Sequence, residues 1–127
     1  DGRDGIRRLV DAGVPPLDRG LAPKVFDTAA FFRARLEPYP KLREYVRLYH
    51  PDLQGTADVA EVVWGSGIFM EFYDDPALIR AFFELITAAY REFMDRWERE
   101  FPPLSDRFRC HWGWGHRGKI VFATIRR

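Results

Sequence analysis

The sequence predicts a helix-rich α/β fold, and three segments carry that prediction. Residues 53–61 combine a short extended piece, a Gln-Gly turn and capping-box spacing, so a strand, a turn and a helix start are expected in that order. Residues 76–100 repeat apolar side chains at steps of three and four after an Asp-Asp-Pro start, a pattern typical of a long amphipathic helix. Residues 119–125 form a nearly continuous apolar, β-branched run, which suits a strand buried in a parallel sheet.

The first fifty residues predict helices separated by prolines. We expect these helices over residues 1–14, 27–36 and 41–49. Gly13 can supply the left-handed turn that ends the first helix, and Asp27 or Thr28 can cap the second. Residues 17–24 mix glycine, proline and both charges without a period, which predicts a loop.

Size and composition indicate a globular protein. The chain has 127 residues, of which 46% are hydrophobic and 16% aromatic, enough for a buried core. The charges nearly cancel to +1, so no overall field favours nucleic acid or a membrane, and neither partner is predicted. No apolar run approaches the roughly 20 residues that span a bilayer. The single cysteine, Cys110, cannot form an internal disulfide, which favours the cytoplasm.

The chain is expected to be one partial domain of a longer protein. It begins with Asp1 rather than Met, and no signal-like segment precedes the first helix. A helical region over residues 1–50 and βα units over residues 51–127 are predicted. A buried parallel strand at 119–125 needs neighbours on both sides, and the sequence offers few other strand candidates. The missing strands are therefore expected outside these residues.

The order of signals over residues 51–97 resembles that of the uroporphyrinogen decarboxylase-like superfamily. In that superfamily a barrel strand ends in a Gly-Pro or Gln-Gly-Pro turn and leads through a glycine-containing loop into a helix that begins Asp-x-Pro-Glu. Residues 111–125 resemble relatives of unassigned function, with an HWG stretch followed by GKI. The resemblance implies a (β/α)8 TIM barrel, of which this chain would supply a part from the first half.

The resemblance implies two chemistries. Decarboxylases of the superfamily remove acetate carboxyl groups from a tetrapyrrole without a cofactor. Methyltransferases of the same fold use zinc to make a thiolate that accepts a methyl group from a corrinoid, and here the zinc ligands are expected outside this chain. Thr56 replaces the usual proline, which affects the rigidity of the turn more than the chemistry. Val62 stands where authentic decarboxylases carry a substrate-contacting tyrosine, and the missing tyrosine favours the methyltransferase alternative. Decarboxylation of a tetrapyrrole, or related porphyrin and corrinoid chemistry, is the first functional hypothesis.

Two candidate site residues lie at or just past the end of the predicted short strand, which ends in the Gln54-Gly55 turn. Active sites of such barrels lie at the C-terminal ends of strands, which places Gln54 and Asp58 at the substrate. Gln54 is a candidate for both catalysis and substrate binding because its amide can bond a polar group. Asp58 is a candidate for substrate binding, and the simpler alternative is that it only caps its helix.

The C-terminal part of the chain supplies the other candidates. His111 is a candidate acid, base or hydrogen-bond donor, and Trp112 beside it is expected to line the pocket. Residues 106–127 contain six Lys or Arg and one acid, so Arg126 and Arg127 are candidates to hold a carboxylate. A solvated basic surface is the ordinary alternative. Adjacent Cys110 and His111 would point to opposite faces of an extended chain, so no metal site is predicted.

The expected partner is an anionic small-molecule substrate or a corrinoid protein, and a homodimer is compatible with the sequence. Catalysis is expected to need residues beyond this chain. A hypothesis of another class is a non-catalytic binding or assembly module that offers the apolar strand at 120–125 to a partner.

Overall fold

A computed structural model describes residues 2–46 and 48–102, together with the backbone of two short strands. The helices within these ranges are α1 Gly2–Ala12, α2 Ala22–Leu36, α3 Pro40–Tyr45, α4 Thr56–Trp64, α5 Ile68–Asp74 and α6 Pro76–Glu100. The strands are β1 Arg107–Arg109 and β2 Gly115–Arg117, which pair antiparallel with Phe108 opposite His116.

The predicted α/β class and partial TIM barrel are wrong. In the described parts of the chain the β-structure is the three-residue antiparallel ribbon, and no parallel strand precedes α4. Pro51 has no amide proton to donate, and Gly55 already flanks α4 as its N-cap, so the extended piece between them is too short for a ladder. Gln54 takes part in an isolated β-bridge rather than in a strand. The predicted strand at 119–125 lies outside the described residues.

The chain divides into two compact units. Within the described residues, the first unit comprises residues 2–15 and 53–92, and the second comprises residues 16–46, 48–52 and 93–102 with both strands. The buried core of the first unit is aliphatic apart from one phenylalanine, and it consists of Ile6, Ala60, Ile68, Leu78, Ile79 and Phe82. Helices α1, α4, α5 and α6 all contribute to it, so this core joins segments far apart in sequence.

The buried core of the second unit is mainly aromatic. Phe26 and Ala29 from α2 pack with Trp97 from α6 and with Phe101 just after it. The ring centroids of Trp97 and Phe101 are 4.7 Å apart, and those of Phe26 and Trp97 are 6.0 Å apart. Offset and tilted ring pairs at these separations add attraction beyond the area that they bury.

Local signals set two helix ends as predicted. The Asp75 side chain accepts a hydrogen bond of 3.1 Å from the amide of Leu78, and Pro76 opens α6, as the Asp-Asp-Pro start indicated. The predicted span of α6 is confirmed. Gly13 has a φ of +74° directly after α1, which confirms the predicted left-handed end of that helix.

Other helix bounds differ from the prediction. Helix α2 begins at Ala22 within the predicted loop, because Pro23 in its first turn is compatible with a helix start. Thr28 does not cap the helix, and its hydroxyl donates instead to the carbonyl oxygen of Lys24 at 2.7 Å. Helix α3 ends at Tyr45 because Val46 is extended, so it is shorter than predicted.

Helix α5 is the helix that the sequence did not predict, and the ribbon of β1 and β2 was not predicted either. It follows α4 after Gly65, whose φ of 88° and ψ of 175° lie in a region open essentially only to glycine. Over the part of the chain described here, no helix combines the length and the apolar character needed to cross a bilayer.

Candidate functional site

Residues 54–58 form a corner at the start of α4, here called the Gln54 corner. The side chain of Gln54 is exposed, whereas Gly55 is buried and takes extended dihedral angles, φ −64° and ψ 159°, as the N-cap of α4. Gln54 is the only glutamine in the chain, and the chain has no asparagine. The single side-chain amide of this protein therefore lies on an exposed turn directly before a helix.

A hydroxyl pair holds the Gln54 corner to α6. The Oγ1 atoms of Thr56 and Thr87 are 3.4 Å apart, and the Thr87 hydroxyl also donates to the carbonyl oxygen of Phe83 at 2.8 Å. A hydroxyl has one proton to donate, so Thr56 is the donor in the first contact. Threonine at this position thus gives the turn a side-chain anchor that proline could not give.

Asp58 is not the N-cap of α4. The helix begins at Thr56 with Gly55 as its N-cap, so the predicted N-cap position of Asp58 is wrong. Asp58 instead lies in the first turn, partly buried. A carboxylate there is stabilised by the positive end of the helix dipole. Its role in substrate binding stays a prediction.

Four predicted site residues lie outside the described residues: His111, Trp112, Arg126 and Arg127. Cys110 also lies outside them, and His116 is described only as a backbone position in β2. The structure therefore brings Gln54 and Asp58 into one corner, and the roles assigned to the C-terminal residues stay predictions. Within the described ranges, no three His, Cys, Asp or Glu side chains are grouped to hold a metal ion.

A second polar site joins α1 to the junction of α5 and α6. Arg3 donates from Nε to Glu71 at 2.6 Å and from Nη2 to Asp74 at 2.8 Å. Arg7 donates from Nη2 to Asp75 at 3.0 Å. We call these five residues the arginine–carboxylate cluster. It fastens α1 beside the point where Ile6 enters the core of the first unit.

Hydrogen bonds within this cluster shift two pKa values. The pKa of Asp75 lies below its usual value, chiefly because the backbone amide of Leu78 donates to the carboxylate and secondly because Arg7 does. The hydrogen bond to Glu71 raises the pKa of Arg3 above its ordinary value. Both shifts favour the charged forms of Arg3 and Asp75.

Sequence reasoning missed this cluster. Arg3 and Glu71 are separated by 68 positions, and no local pattern states which helix an exposed arginine will meet. The available signal was weak: Arg3 and Arg7 are spaced to share one face of α1, and three acids fall within residues 71–75. Two arginines one helical turn apart are also common on helix faces that contact only solvent, so this spacing does not by itself indicate a cluster.

Comparison with known proteins finds no relative: no family model, curated protein or solved structure matches this chain. The resemblance to the uroporphyrinogen decarboxylase-like superfamily therefore rests on the sequence of residues 51–97 and 111–125. Of the candidate residues within those segments, only Gln54 and Asp58 have a described geometry.

Proposed function

We propose that this chain is part of a cytoplasmic enzyme of the uroporphyrinogen decarboxylase-like type, acting on a tetrapyrrole or a related substrate of porphyrin or corrinoid metabolism. One observation carries the proposal. The segment whose sequence resembles that superfamily has one side-chain amide, Gln54. It lies on an exposed turn that the Thr56–Thr87 contact joins to α6. A substrate contact requires such an accessible and positioned polar group.

The geometry of the Gln54 corner suits binding of a carboxylate. An amide offers two N–H donors and a carbonyl acceptor, and an acetate group of a tetrapyrrole would accept from the donors. Burial of Gly55 and the Thr56–Thr87 contact limit movement of the turn, which lowers the entropy lost when a ligand binds. Gln54 would orient the substrate rather than take part in proton transfer, because an amide does not titrate near neutral pH.

The remaining proposed roles belong to the C-terminal candidates. His111 would donate the proton that takes the place of the carboxyl group lost as carbon dioxide, and Trp112 would line the pocket. Arg126 and Arg127 would hold further carboxylates through paired N–H donors. A decarboxylase of this kind needs no cofactor.

Methyl transfer is the second candidate function. Val62 stands where the resemblance implies a tyrosine that contacts substrate, and its side chain is 84% exposed with no polar atom to offer. This observation favours zinc- and corrinoid-dependent methyl transfer, in which that tyrosine is not needed. The zinc ligands would then come from outside this chain.

Binding of uroporphyrin by the 127-residue protein tests the proposal, with porphyrin fluorescence as the readout. Gln54→Glu keeps the shape of the side chain but replaces the donors with a negative charge. We expect it to weaken binding by about tenfold, the effect of roughly 1.4 kcal/mol. Ser66→Ala, an exposed change in the first unit, should leave affinity within about twofold.

Two activity assays of the full-length enzyme separate the candidate reactions, since catalysis is expected to need residues beyond this chain. Conversion of uroporphyrinogen to products with fewer carboxyl groups, resolved by chromatography, would support the decarboxylase. Zinc-dependent loss of the methyl group from methylcobalamin in the presence of a thiol would support methyl transfer. If the wild-type protein binds neither uroporphyrin nor methylcobalamin, or if Gln54→Glu binds uroporphyrin as well as the wild type does, the role proposed for the Gln54 corner is wrong.

A further inference from the structure

Helix α1 is held on the first unit by few apolar contacts and several ion pairs. Of its 11 residues, Ile6 is buried, and Val10 packs partly buried against the same core. Leu9 is 46% exposed. Arg3 and Arg7 supply the polar attachment through the arginine–carboxylate cluster. Ion pairs therefore carry a large share of the attachment of this helix.

The chain leaves the first unit soon after α1. Gly13, with a φ of +74°, ends the helix, and from residue 16 to residue 52 the chain belongs to the second unit. The first unit resumes at residue 53. Side chains rather than an adjoining segment of its own unit therefore fix α1 in place. The helix can leave its place while α4, α5 and α6 stay folded.

The ion pairs of the cluster can be broken without leaving a charge buried. The side chains of Arg3 and Arg7 are exposed, and those of Glu71 and Asp75 retain 13% and 22% of their exposure while α1 covers them. Removal of α1 gives these carboxylates back to water. Release therefore costs the attraction between the charges but adds no penalty for an unpaired charge in the interior.

We infer that α1 is an ionic latch, a helix that opens as one element when salt screens the arginine–carboxylate cluster. The Debye length falls from about 10 Å at 0.1 M to about 3 Å at 1 M salt, so the attraction that holds α1 weakens over this range. Screening does not act on the apolar contacts of Ile6. An opening that becomes more frequent as salt rises therefore reports the ion pairs. Each opening uncovers the part of the core that Ile6 fills.

The latch does not depend on the proposed enzymatic function. It involves α1, α5 and the start of α6, whereas the Gln54 corner lies at the start of α4. Gln54→Glu should leave the opening of α1 unchanged, so the two proposals can fail separately.

Hydrogen–deuterium exchange of the 127-residue protein, read by mass spectrometry, tests the latch. Exchange is compared at about 0.05 M and about 1 M sodium chloride, over which screening changes strongly. Amides of residues 2–12 should exchange about fivefold faster at the higher salt, because they exchange through local opening. Amides of residues 78–92 in α6 are the internal reference, and their exchange should change by less than about twofold.

Variants identify the charges responsible. The double variant Arg3→Gln with Arg7→Gln should speed exchange in α1 about tenfold at low salt and abolish the effect of salt. Tenfold corresponds to roughly 1.4 kcal/mol, which is reasonable for three exposed ion pairs together. Arg8→Gln is the matched control, because it removes the same charge from an exposed position of the same helix outside the cluster. It should change exchange by less than about twofold and retain the effect of salt.

Several results would overturn the inference. Exchange in α1 that does not respond to salt would do so, as would an equal acceleration in α1 and α6, which would indicate opening of the whole unit. An effect of Arg8→Gln as large as that of the double variant would show that the cluster is not what holds the helix. Exchange in α1 that is already unprotected at low salt would mean that the latch does not close.

Discussion

The two units of this protein place arginine beside a core in different ways. In the first unit Arg3 and Arg7 pair with carboxylates at the edge of a mainly aliphatic core. In the second unit the guanidinium carbon of Arg96 lies 3.9 Å from the ring centroid of Phe26, and that of Arg33 lies 4.8 Å from the ring of Phe101. The aliphatic core thus has ion pairs at its edge, and the aromatic core has stacked arginines.

The difference follows from what each core offers to a cation. An aliphatic side chain has no polar surface to attract a guanidinium, and Arg3 and Arg7 beside this core bind carboxylates. An aromatic ring has a negative face that attracts the cation directly, and Arg96 still donates from Nε to Glu100 at 2.7 Å and from Nη1 to the carbonyl of Leu17 at 3.2 Å. Stacking depends on the planar shape of arginine as well as on its charge, whereas pairing depends on the charges of both partners and so on pH and salt.

The largest expected effect comes from the core of the first unit. Phe82 is 2% exposed there, and Phe82→Ala should lower the free energy of unfolding by about 3–5 kcal/mol, since it removes buried apolar surface and leaves a cavity. Urea denaturation measures this. Phe31→Ala, at a ring 53% exposed, should cost no more than about 0.5 kcal/mol. A cost for Phe82→Ala as small as that for Phe31→Ala would show that the aliphatic core is not packed as described.

The next effect tests arginine stacking in the second unit. Arg96→Lys keeps the charge but loses the planar group over Phe26, and we expect a loss of about 1–2 kcal/mol in the free energy of unfolding. Arg80→Lys is the control, because Arg80 pairs with Glu84 on an exposed helix face, where the expected change is about 0–0.5 kcal/mol. Equal changes for the two variants would mean that stacking adds nothing beyond charge.

The smallest effect is the pH dependence of the first unit. The pKa of Asp75 is lower in the folded protein than its usual value of about 3.9, so its contribution to stability is complete above that pH and is lost as pH falls through the lowered pKa. Asp75→Asn keeps an oxygen that can cap α6 but removes the charge. The variant should be less stable than the wild type at pH 7, and the two should converge as the pH falls from about 4 through the lowered pKa of Asp75.

Denaturation curves at a series of pH values measure this convergence. Asp18→Asn, an exposed change in the second unit, should leave the pH profile of the wild type unaltered. A constant difference between the wild type and Asp75→Asn at every pH would show that the carboxylate acts through its shape alone.

Helix α6 and the end of α1 could be predicted because their signals are local. An aspartate cap, a proline and a sustained apolar period all lie within α6 or directly before it, and Gly13 directly follows α1. Helix α5 could not be predicted in this way. Its sequence, IFMEFYD, has apolar residues on two sides and so lacks the one-sided period of an ordinary surface helix.

The candidate site was predictable only in part. The sequence predicted a turn and a helix start close to Gln54. The helix begins at Thr56 rather than after Asp58, because Gly55 is the N-cap and not the predicted aspartate. The Thr56–Thr87 contact that anchors the corner joins residues 31 positions apart, and no local pattern predicts it. The barrel came from the resemblance rather than from local signals, and the segment before α4 is too short to form its strand.

The backbone angles of Gly65 limit which substitutions this sequence can accept during evolution. Every single-nucleotide change at the first two positions of a glycine codon introduces a residue with a Cβ atom or a stop. No neighbouring atom lies within 4 Å of a Cβ built at Gly65, so the restriction comes from its φ of +88° alone. Gly67, with a φ of −58°, has equal space and no such restriction. Descendants of this sequence should therefore retain glycine at position 65 while position 67 varies, and that contrast should help to identify relatives.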